Sequence, residues 1–253
     1  MSYLPLSVLS RSYGRSDEEA NDLWGWTNPT SRRDYAIIGV RSGTAFVDIT
    51  DPVKPIYKGK LPYHNLVITR WADVKTYGNY AFIVNESYYQ GMQIFDLTSL
   101  ENNRKGSVLK ETAHYDKFNN AHNMVINEES GFGYAVGSNT CEGGLHMIDI
   151  KKPLNPQFAG CFSSEGYTHD AQCVIYKGDD ERYLGSEICF AMNNPSVSII
   201  DVTNKAKPML LSRNVYPRAR YAHQGWLTED HNYFIFGDEE DEKASGSRTT
   251  TFV

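Results

Sequence analysis

The sequence predicts an all-β fold built from repeated four-stranded antiparallel sheets. The first observation is composition: 17 Tyr and 11 Phe, with many Val, Ile and Thr, lie between clusters of Gly and Pro, a distribution typical of strands and turns. The second is that no stretch has a sustained helical period. The third is an internal repeat, which determines how the strands are grouped.

The repeat contains an aspartate that follows an apolar run. Asp48, Asp96, Asp149 and Asp201 each begin a D-[ILV]-[TK] element, at separations of 48, 53 and 52 residues. A period of about 50 residues accommodates four short strands, and radial repetition of four-stranded antiparallel sheets is a β-propeller. The sequence therefore predicts a single β-propeller domain, incomplete at its end, over residues 1–253.

Each repeat unit contains four predicted strands, a to d, in chain order. The first has LWGW, DYAIIGV, GTAFVDIT and PIYKGKL, and the second has WADVKTY, NYAFIVNE, GMQIFDLT and SVLKETAHY. The third has HNMVINEE, GFGYAVGS, GGLHMIDI and PQFAGCFS, and the fourth has HDAQCVIY, SEICFAMN, SVSIIDVT and PMLLSRNV. The fifth begins with HQGWLTE and NYFIFGDE and stops in TTTFV. The predicted blades span approximately 21–62, 71–115, 121–163, 168–214 and 222–253.

Strand c and its aspartate have a structural interpretation. The strand is apolar because neighbouring blades cover it, and the aspartate at its end can accept hydrogen bonds from the following turn, as in an Asx turn. Strand d then begins at the outer edge, where a missing N–H is tolerated. This explains the prolines that follow the motif: Pro52, Pro55, Pro153, Pro156 and Pro208. We therefore interpret the repeated aspartates as structural rather than catalytic.

Charge and hydropathy exclude several classes of partner. The formal net charge is -6, and the densest charge run, GDEEDEK from Gly237, is acidic. Nucleic acid and anionic membrane surfaces are therefore not expected as partners. No run approaches the roughly 18 apolar residues of a membrane span, and the N-terminus lacks the pattern of a signal peptide.

Several long segments resemble those of a known family. The apolar run, aspartate and D-P-x-x-P turn are similar to the LVIVD repeat. Nearly all of the chain from Asn21 to Val253 resembles the choice-of-anchor B proteins. The segments that carry this resemblance are NDLWGWTNPTSRRDYAIIGVRSGTAFVDITDP, WADVKTYGNYAFIV, GGLHMIDI, GYTHDAQCVIY and HQGWLTED. This resemblance implies a secreted or surface-attached β-propeller with further repeats. It implies no particular activity.

The end of the sequence departs from the repeat. Aligned with GTAFVDIT and SVSIIDVT, the final TTTFV stops where the repeat aspartate is expected. We therefore expect a truncated sequence that holds about five of seven blades, and the absence of an export signal agrees with loss at the N-terminus. In the alternative, LPLSVLSRSY is a d strand similar to PMLLSRNVYP and closes the ring on the fifth unit.

The four cysteines form two predicted pairs. Cys141 precedes strand c of the third unit and Cys161 ends its strand d, so antiparallel pairing brings them together. Cys173 in strand a and Cys189 in strand b of the fourth unit are related in the same way. Two disulfides and an oxidising, extracellular compartment are predicted, against the alternative of four buried free thiols. The sequon at Asn85 predicts N-glycosylation, which agrees with secretion.

Polar residues recur where the inner strands begin, at one end of the predicted channel. The starts of strands a carry Asn21, Asp22, Trp71, Asp73, His122, Asn123, His169, Asp170, His223 and Gln224, and the ends of strands b carry Glu86, Asn193, Asp238 and Glu239. Imidazoles with nearby carboxylates are the ligand set of zinc, copper or non-haem iron. We therefore predict a transition-metal site formed by His122, His169, His223, Asp73, Asp170, Asp238 and Glu239.

The channel residues have a second interpretation, in which the polar side chains serve only to hydrogen-bond the exposed beginnings of the inner strands. Four tryptophans, Trp24, Trp26, Trp71 and Trp226, lie in inner strands or their entrances, where packing is favoured over ligand stacking. His64, His114, His146 and His231 do not share the channel register and are assigned to surface or strand positions.

Two classes of function follow. The first is an extracellular or cell-surface interaction module that presents one propeller face to a protein or glycan partner, with its specificity in loops. The second is a metal-dependent hydrolase or oxidoreductase that uses the channel histidines. The catalytic motifs of serine hydrolases, the Gly-rich loops of nucleotide-binding proteins and paired C-x-x-C motifs are absent from the sequence.

Overall fold

A computed structural model describes residues 2–9, 18–245 and 251–253 of the chain. In this part of the chain 20 strands form five sheets, and the α-helices are two short segments, α1 (Leu6–Leu9) and α2 (Asp241–Ser245). Neither described helix is long and apolar enough to cross a membrane. The prediction of an all-β fold is confirmed, because strands rather than helices bury the apolar residues.

The chain forms two compact units. The first includes the chain up to Met124 together with Lys152–Pro156, and the second consists of Val125–Lys151 and Gln157–Val253. Each unit has its own buried core. In the first, Phe46 and Phe95 of strands c pack with ring centroids 4.8 Å apart, in a cluster with aliphatic residues of strands a and b such as Ile37, Val74 and Ile83. In the second, Tyr134 and Met147 pack in the cluster that also holds Cys173 and Cys189.

The first unit contains two sheets whose strand order follows the chain. Sheet I consists of β1 (Ala20–Thr27), β2 (Asp34–Val40), β3 (Gly43–Asp48) and β4 (Ile56–Leu61), all antiparallel. Sheet II consists of β5 (Ala72–Tyr77), β6 (Tyr80–Asn85), β7 (Met92–Asp96) and β9 (Ala113–Tyr115). The predicted order a, b, c, d is present in both sheets.

One predicted strand is divided between these two sheets. SVLKETAHY does not form one strand d: β8 (Ser107–Val108) adds to the outer edge of sheet I, parallel to β4, and only β9 pairs with β7. Gly59 permits the addition, because a Cβ on this residue would collide with the carbonyl oxygen of Ser107. The chain returns to sheet II at Thr112, whose N–H donates to Ile94 O at 2.7 Å.

The second unit contains three sheets with the same strand order, except that Asn123 and Met124 at the start of the first of them belong to the first unit. Sheet III consists of β10 (Asn123–Asn127), β11 (Phe132–Val136), β12 (Leu145–Asp149) and β13 (Gln157–Phe162). Sheet IV consists of β14 (Thr168–Ile175), β15 (Glu187–Asn193), β16 (Val197–Asp201) and β17 (Met209–Asn214). In sheet V the described strands are β18 (Ala222–Leu227), β19 (Phe234–Asp238) and β20 (Thr251–Phe252).

The alternative role for LPLSVLSRSY, a strand of the fifth unit, is wrong for the part of it that the structure describes. Leu6–Leu9 is a helical turn, and Leu9 packs with Val40, Val47 and Tyr57 in sheet I. Apolar burial against sheet I therefore determines the position of this segment. Residues 10–13 lie outside the described residues.

The repeated aspartates adopt the predicted Asx turns. Each Oδ1 accepts a hydrogen bond from the backbone N–H two residues later, at 2.9 to 3.0 Å, in Asp48, Asp96, Asp149 and Asp201. The side chain thereby satisfies a backbone donor that the end of strand c leaves unpaired. The structural interpretation of the motif is confirmed.

Both predicted disulfides are present. Cys141 and Cys161 have Cα atoms 5.6 Å apart, and Cys173 and Cys189 have Cα atoms 4.0 Å apart. Cys173 lies directly opposite Cys189 in the β14–β15 register. The second bond therefore links the two inner strands of sheet IV.

The structure has a second repeat, separate from the D-[ILV]-[TK] element, in which one glutamate accepts hydrogen bonds from three side chains. In the first unit Glu101 accepts hydrogen bonds from three side chains of the β1–β2 turn and the start of β2: Asn28, Ser31 and Tyr35. In the second unit Glu187 accepts from Asn127, Ser130 and Tyr134, which have the same spacing. Each carboxylate thus ties the a–b turn and strand b of one sheet to a neighbouring sheet of the same unit.

Glu187 is the more buried of these two carboxylates, and we expect its loss to be costly. Its Oε2 also accepts from Lys205 Nζ at 2.6 Å, and both side chains are more than nine-tenths buried. Glu187→Ala should lower the free energy of unfolding by about 3–5 kcal/mol, because Lys205 and three polar groups lose their buried partner. Urea unfolding measures the change. Glu181→Ala, at an exposed position six residues earlier, is the control and should change it by less than about 0.5 kcal/mol; an equal effect of both substitutions would contradict this role.

Candidate functional site

Three of the predicted ligands meet in the second unit. His169 lies at the start of β14, His223 lies in β18, and Glu239 directly follows β19. One side-chain nitrogen or oxygen of each lies within 4.8 Å of the other two. We refer to His169, His223 and Glu239 as the His169 centre.

The atoms of the His169 centre are spaced more widely than hydrogen-bonded pairs. Glu239 Oε2 lies 4.0 Å from His169 Nε2 and 3.8 Å from His223 Nε2, and the two imidazole centroids are 4.8 Å apart. Two ligands of one tetrahedral zinc ion are separated by roughly 3.4 Å when each bond is about 2.1 Å. Small side-chain adjustments therefore suffice to bring all three atoms to one ion.

Backbone contacts determine the orientation of His169. Its Nδ1 lies 2.9 Å from the carbonyl oxygen of His223. A carbonyl only accepts, so Nδ1 carries the proton, and in the neutral ring Nε2 has the lone pair. The edge of the ring also contacts Tyr221 at a centroid distance of 5.0 Å. His169 is therefore held in the tautomer that a metal ligand needs.

Asp238 positions Glu239 through the hydrogen bonds of its own carboxylate, and a metal role for Asp238 stays a prediction. Its Oδ2 accepts from the Tyr216 hydroxyl at 2.6 Å and from the N–H groups of Arg220 and Tyr221, while Oδ1 accepts from Glu240 N. Burial opposes ionisation of Asp238, but these hydrogen bonds outweigh it and lower the pKa. The carboxylate thus fixes the turn that carries Glu239, whose own N–H donates to Tyr221 O.

The remaining predicted ligands make other contacts. Asp170 lies beside His169, and its Oδ1 accepts from Ala171 N. In the first unit, His122 Nδ1 lies 2.6 Å from Glu86 Oε1. Asp73, in the same unit, accepts from Lys75 Nζ at 2.6 Å and from Met124 N at 2.7 Å. A metal role for these residues stays a prediction.

Asp73 also forms a carboxylate pair with Asp22. Burial has the largest influence on Asp22 and, together with the negative charge of Asp73, raises its pKa to about 7. Burial also opposes ionisation of Asp73, but Lys75 and the hydrogen bond from Asp22 lower its pKa below the usual range. The pair therefore holds a proton on Asp22 and a negative charge on Asp73.

Two further expectations can be compared with side-chain burial. Asn85 is fully buried at the end of β6, and its Oδ1 accepts from Ser87 N at 2.7 Å, so a glycan would have to be attached before this strand end folds. Trp24 and Trp26 are packed and donate to Thr76 and Gly78. Trp71 and Trp226 are instead at least half exposed, and the packing interpretation is wrong for both.

A second cluster, in the first unit, was missed by the sequence interpretation. His64, Glu111 and His114 also bring three ligand atoms within 4.8 Å of one another. The two histidines are separated by 50 residues, one repeat period, and this spacing was the signal available in the sequence. The structure thus brings His64 and His114 together although neither lies in the predicted channel register.

Comparison with known proteins identifies the fold. No family model and no curated protein matches the chain. Hydrazine synthase from Kuenenia stuttgartiensis is similar with a TM-score of 0.57 and 14% identity, over 89% of this chain and 58% of that one. The β-propeller domain of Cps50 (Swd1) from Myceliophteria thermophila has a TM-score of 0.54 and 12% identity, over 88% of this chain and 65% of that one. The periplasmic gluconolactonase PpgL from Pseudomonas aeruginosa has a TM-score of 0.53 and 10% identity, over 91% and 71%.

These similarities support a β-propeller of four-stranded antiparallel sheets and, at such identities, concern the fold alone. The chain spans less than two thirds of the length of the first two proteins. The prediction of a β-propeller class of fold is therefore confirmed, while the number of blades and the truncation stay predictions.

The Asp22–Asp73 pair generates a prediction about pH. Because the pKa of Asp22 is raised from 3.8 to about 7, the folded state holds more protons than the unfolded state between these values, and stability falls as pH rises through this window. Asp22→Asn imitates the protonated acid and should remove this decline. The variant should gain roughly 1–2 kcal/mol relative to the parent between pH 4.5 and pH 7.5.

Urea unfolding at a series of pH values measures this difference. Asp51→Asn, at an exposed turn of the same unit, is the matched control and should leave the pH dependence unchanged. A constant offset between Asp22→Asn and the parent at all pH values would contradict the raised pKa.

Proposed function

We propose that this β-propeller binds a divalent transition metal at the His169 centre and is a metal-dependent enzyme. The observation that carries the proposal is the convergence of two imidazole nitrogens and one carboxylate oxygen, drawn from three separate strands or strand ends, around one point. Such convergence from distant parts of the sequence is not needed for sheet formation. It agrees with the ligand sets of zinc enzymes and of non-haem iron enzymes.

Exposure of the three side chains differs in a way that suits a catalytic metal. The His169 side chain is 8% exposed, whereas those of His223 and Glu239 are 35% and 44% exposed. A buried, oriented histidine would anchor the ion, and the more open side would leave coordination positions for water or substrate. A metal bound there would act as a Lewis acid, polarising a substrate oxygen or lowering the pKa of a bound water.

The cellular location and the family are part of this proposal. Two disulfides, with all four cysteines paired, support an oxidising compartment and hence a secreted or surface-attached protein. The repeat motifs support membership of the LVIVD-repeat or choice-of-anchor B family, with seven blades. Two of the similar propellers are named as enzymes and one as a propeller domain, so the fold is compatible with either class of function.

An interaction module is the second candidate, and a specific surface favours it. Leu66, Val67, Trp71, Tyr88 and Tyr89 are each at least half exposed on two loops of the first unit. Asn65 Nδ2 donates to Tyr88 O at 2.6 Å and links the two loops. Clustered exposed aromatic and aliphatic side chains are typical of sites for a protein or glycan partner. This function does not use the His169 centre, so loss of a metal from that centre should leave it intact.

Metal content tests the first proposal. Protein purified without chelator, from cells supplied with zinc, iron and copper, should retain a transition metal by elemental mass spectrometry. His223→Asn should contain one equivalent less, because the ion loses a ligand that neighbouring groups cannot replace. Circular dichroism should remain unchanged, since His223 is partly exposed.

His231→Asn is the matched control. His231 lies in the same unit, its ring accepts a hydrogen bond from Lys177 N, and among the described residues it belongs to neither ligand cluster, so the substitution should leave the metal content unchanged. Equal metal content in the parent and in His223→Asn would reject the His169 centre and leave the interaction module as the remaining function.

A further inference from the structure

The His64 cluster, formed by His64, Glu111 and His114, lies in the first unit and comes from two separated segments. His64 is in the connection between β4 and β5, Glu111 lies two residues before β9, and His114 is the second residue of β9. The chain between β4 and β5 has no strand of its own. The cluster is therefore a point at which a long connection is attached to sheet II.

The three side chains are arranged around the carboxylate. His64 Nδ1 lies 2.7 Å from Glu111 Oε1, and His114 Nδ1 lies 3.5 Å from Glu111 Oε2. The two imidazole rings stack with centroids 3.7 Å apart and an angle of 22° between their planes. Both Nδ1 atoms thus face the same carboxylate from one side.

Two of the atoms in this arrangement are buried and unsatisfied. His114 Nδ1 and Glu111 Oε2 are shielded from water, and at 3.5 Å from each other they form no hydrogen bond of acceptable geometry within the described residues. Leaving a buried polar atom without a partner costs free energy. A cation bound to both atoms would remove this cost, and two imidazoles with one carboxylate form the protein ligand set of many zinc sites.

Electrostatics also favours a cation between these groups. If both stacked imidazoles were protonated, their positive charges would repel at this separation. A divalent ion, by contrast, binds neutral imidazoles and displaces the proton from His64 Nδ1.

Buried neighbours hold the cluster in place. His64 N donates to Gln90 Oε1 at 3.0 Å, and Gln90 Nε2 donates to Gln93 Oε1 at 3.0 Å. Gly91, at φ +56°, leaves room for the ring of His114, since a Cβ there would lie 2.8 Å from His114 Nε2. The buried glutamine pair therefore holds the backbone of His64, and the lack of a side chain at Gly91 leaves space for His114.

We propose that His64, Glu111 and His114 form a zinc-class metal site, separate from the His169 centre, that attaches the β4–β5 connection to β9. The role is structural: the ion links a segment without secondary structure to the edge of sheet II. Because this connection carries the exposed side chains Leu66 and Val67, the same ion stabilises the loop surface described above.

The test uses the whole chain with the His169 centre disabled. Parent protein, His169→Asn/His223→Asn, and that double variant with His114→Asn added are stripped with chelator and titrated with Zn²⁺ by calorimetry. The double variant should bind one equivalent, and the added His114→Asn should abolish this binding. In the same background His231→Asn is the control: His231 has a φ of +58°, which Asn tolerates, and this variant should still bind one equivalent.

A second readout separates the site from a folding defect. Zn²⁺ should raise the Tm of the double variant, since an ion that binds only the folded state stabilises it, and Glu111→Gln added to the same background should remove the shift while circular dichroism is unchanged. Absence of zinc binding by the double variant, or undiminished binding after His114→Asn, would overturn the proposal. Either result is independent of the His169 centre, because that centre is disabled in both proteins compared. Binding at the His169 centre itself is measured by the difference between the parent and the double variant.

Discussion

Among the described strands, the inner strand of each sheet has one edge without a strand partner. Much of this structure depends on supplying hydrogen bonds to the backbone groups of that edge. Side chains from the preceding repeat supply hydrogen bonds to backbone donors there, in each case within one compact unit. Asp22 accepts from Val74 N at 3.1 Å, Asp73 from Met124 N at 2.7 Å, and Gln172 from Leu227 N at 2.7 Å. The partners are 51 to 55 residues apart, which is the period of the sequence repeat. Unpaired backbone groups at a buried edge are costly, so polar residues recur at strand starts for a structural reason.

This constraint also explains the composition of the His169 centre. The contact from His169 Nδ1 to the carbonyl of His223 spans 54 residues and is another side-chain bond to the next inner strand. It satisfies a backbone acceptor and at the same time orients Nε2 toward Glu239. The hydrogen-bonding and metal-binding interpretations of the channel residues are therefore compatible. Asp73 illustrates the first of them, and His169 has the geometry for both.

Local patterns made much of the fold predictable. Strand c and the Asx turns depend on interactions between residues that are close in sequence, so the apolar run and its aspartate identify them directly. The disulfides followed because antiparallel neighbours bring Cys173 opposite Cys189. The transfer of Ser107–Val108 to sheet I could not be predicted, since it depends on space above Gly59 in a different repeat. The His64 cluster was missed for a similar reason: it lies outside the regular strand register, in a connection whose course is set by Gln90 and Gln93.

The two clusters share a ligand set and differ in their surroundings. His169 is oriented by a backbone carbonyl, and the centre opens toward His223 and Glu239; the His64 cluster contains unsatisfied buried atoms on Glu111 and His114 and joins a loop to a sheet. The first arrangement suits catalysis and the second suits attachment of a loop.

The most direct measurement for the central claim is anomalous diffraction at the zinc absorption edge, from crystals of the protein grown with zinc. The account predicts a peak about 2.0–2.2 Å from His169 Nε2, His223 Nε2 and a Glu239 carboxylate oxygen. Density without an anomalous peak at that point, with the three side chains turned away from one another, would contradict it.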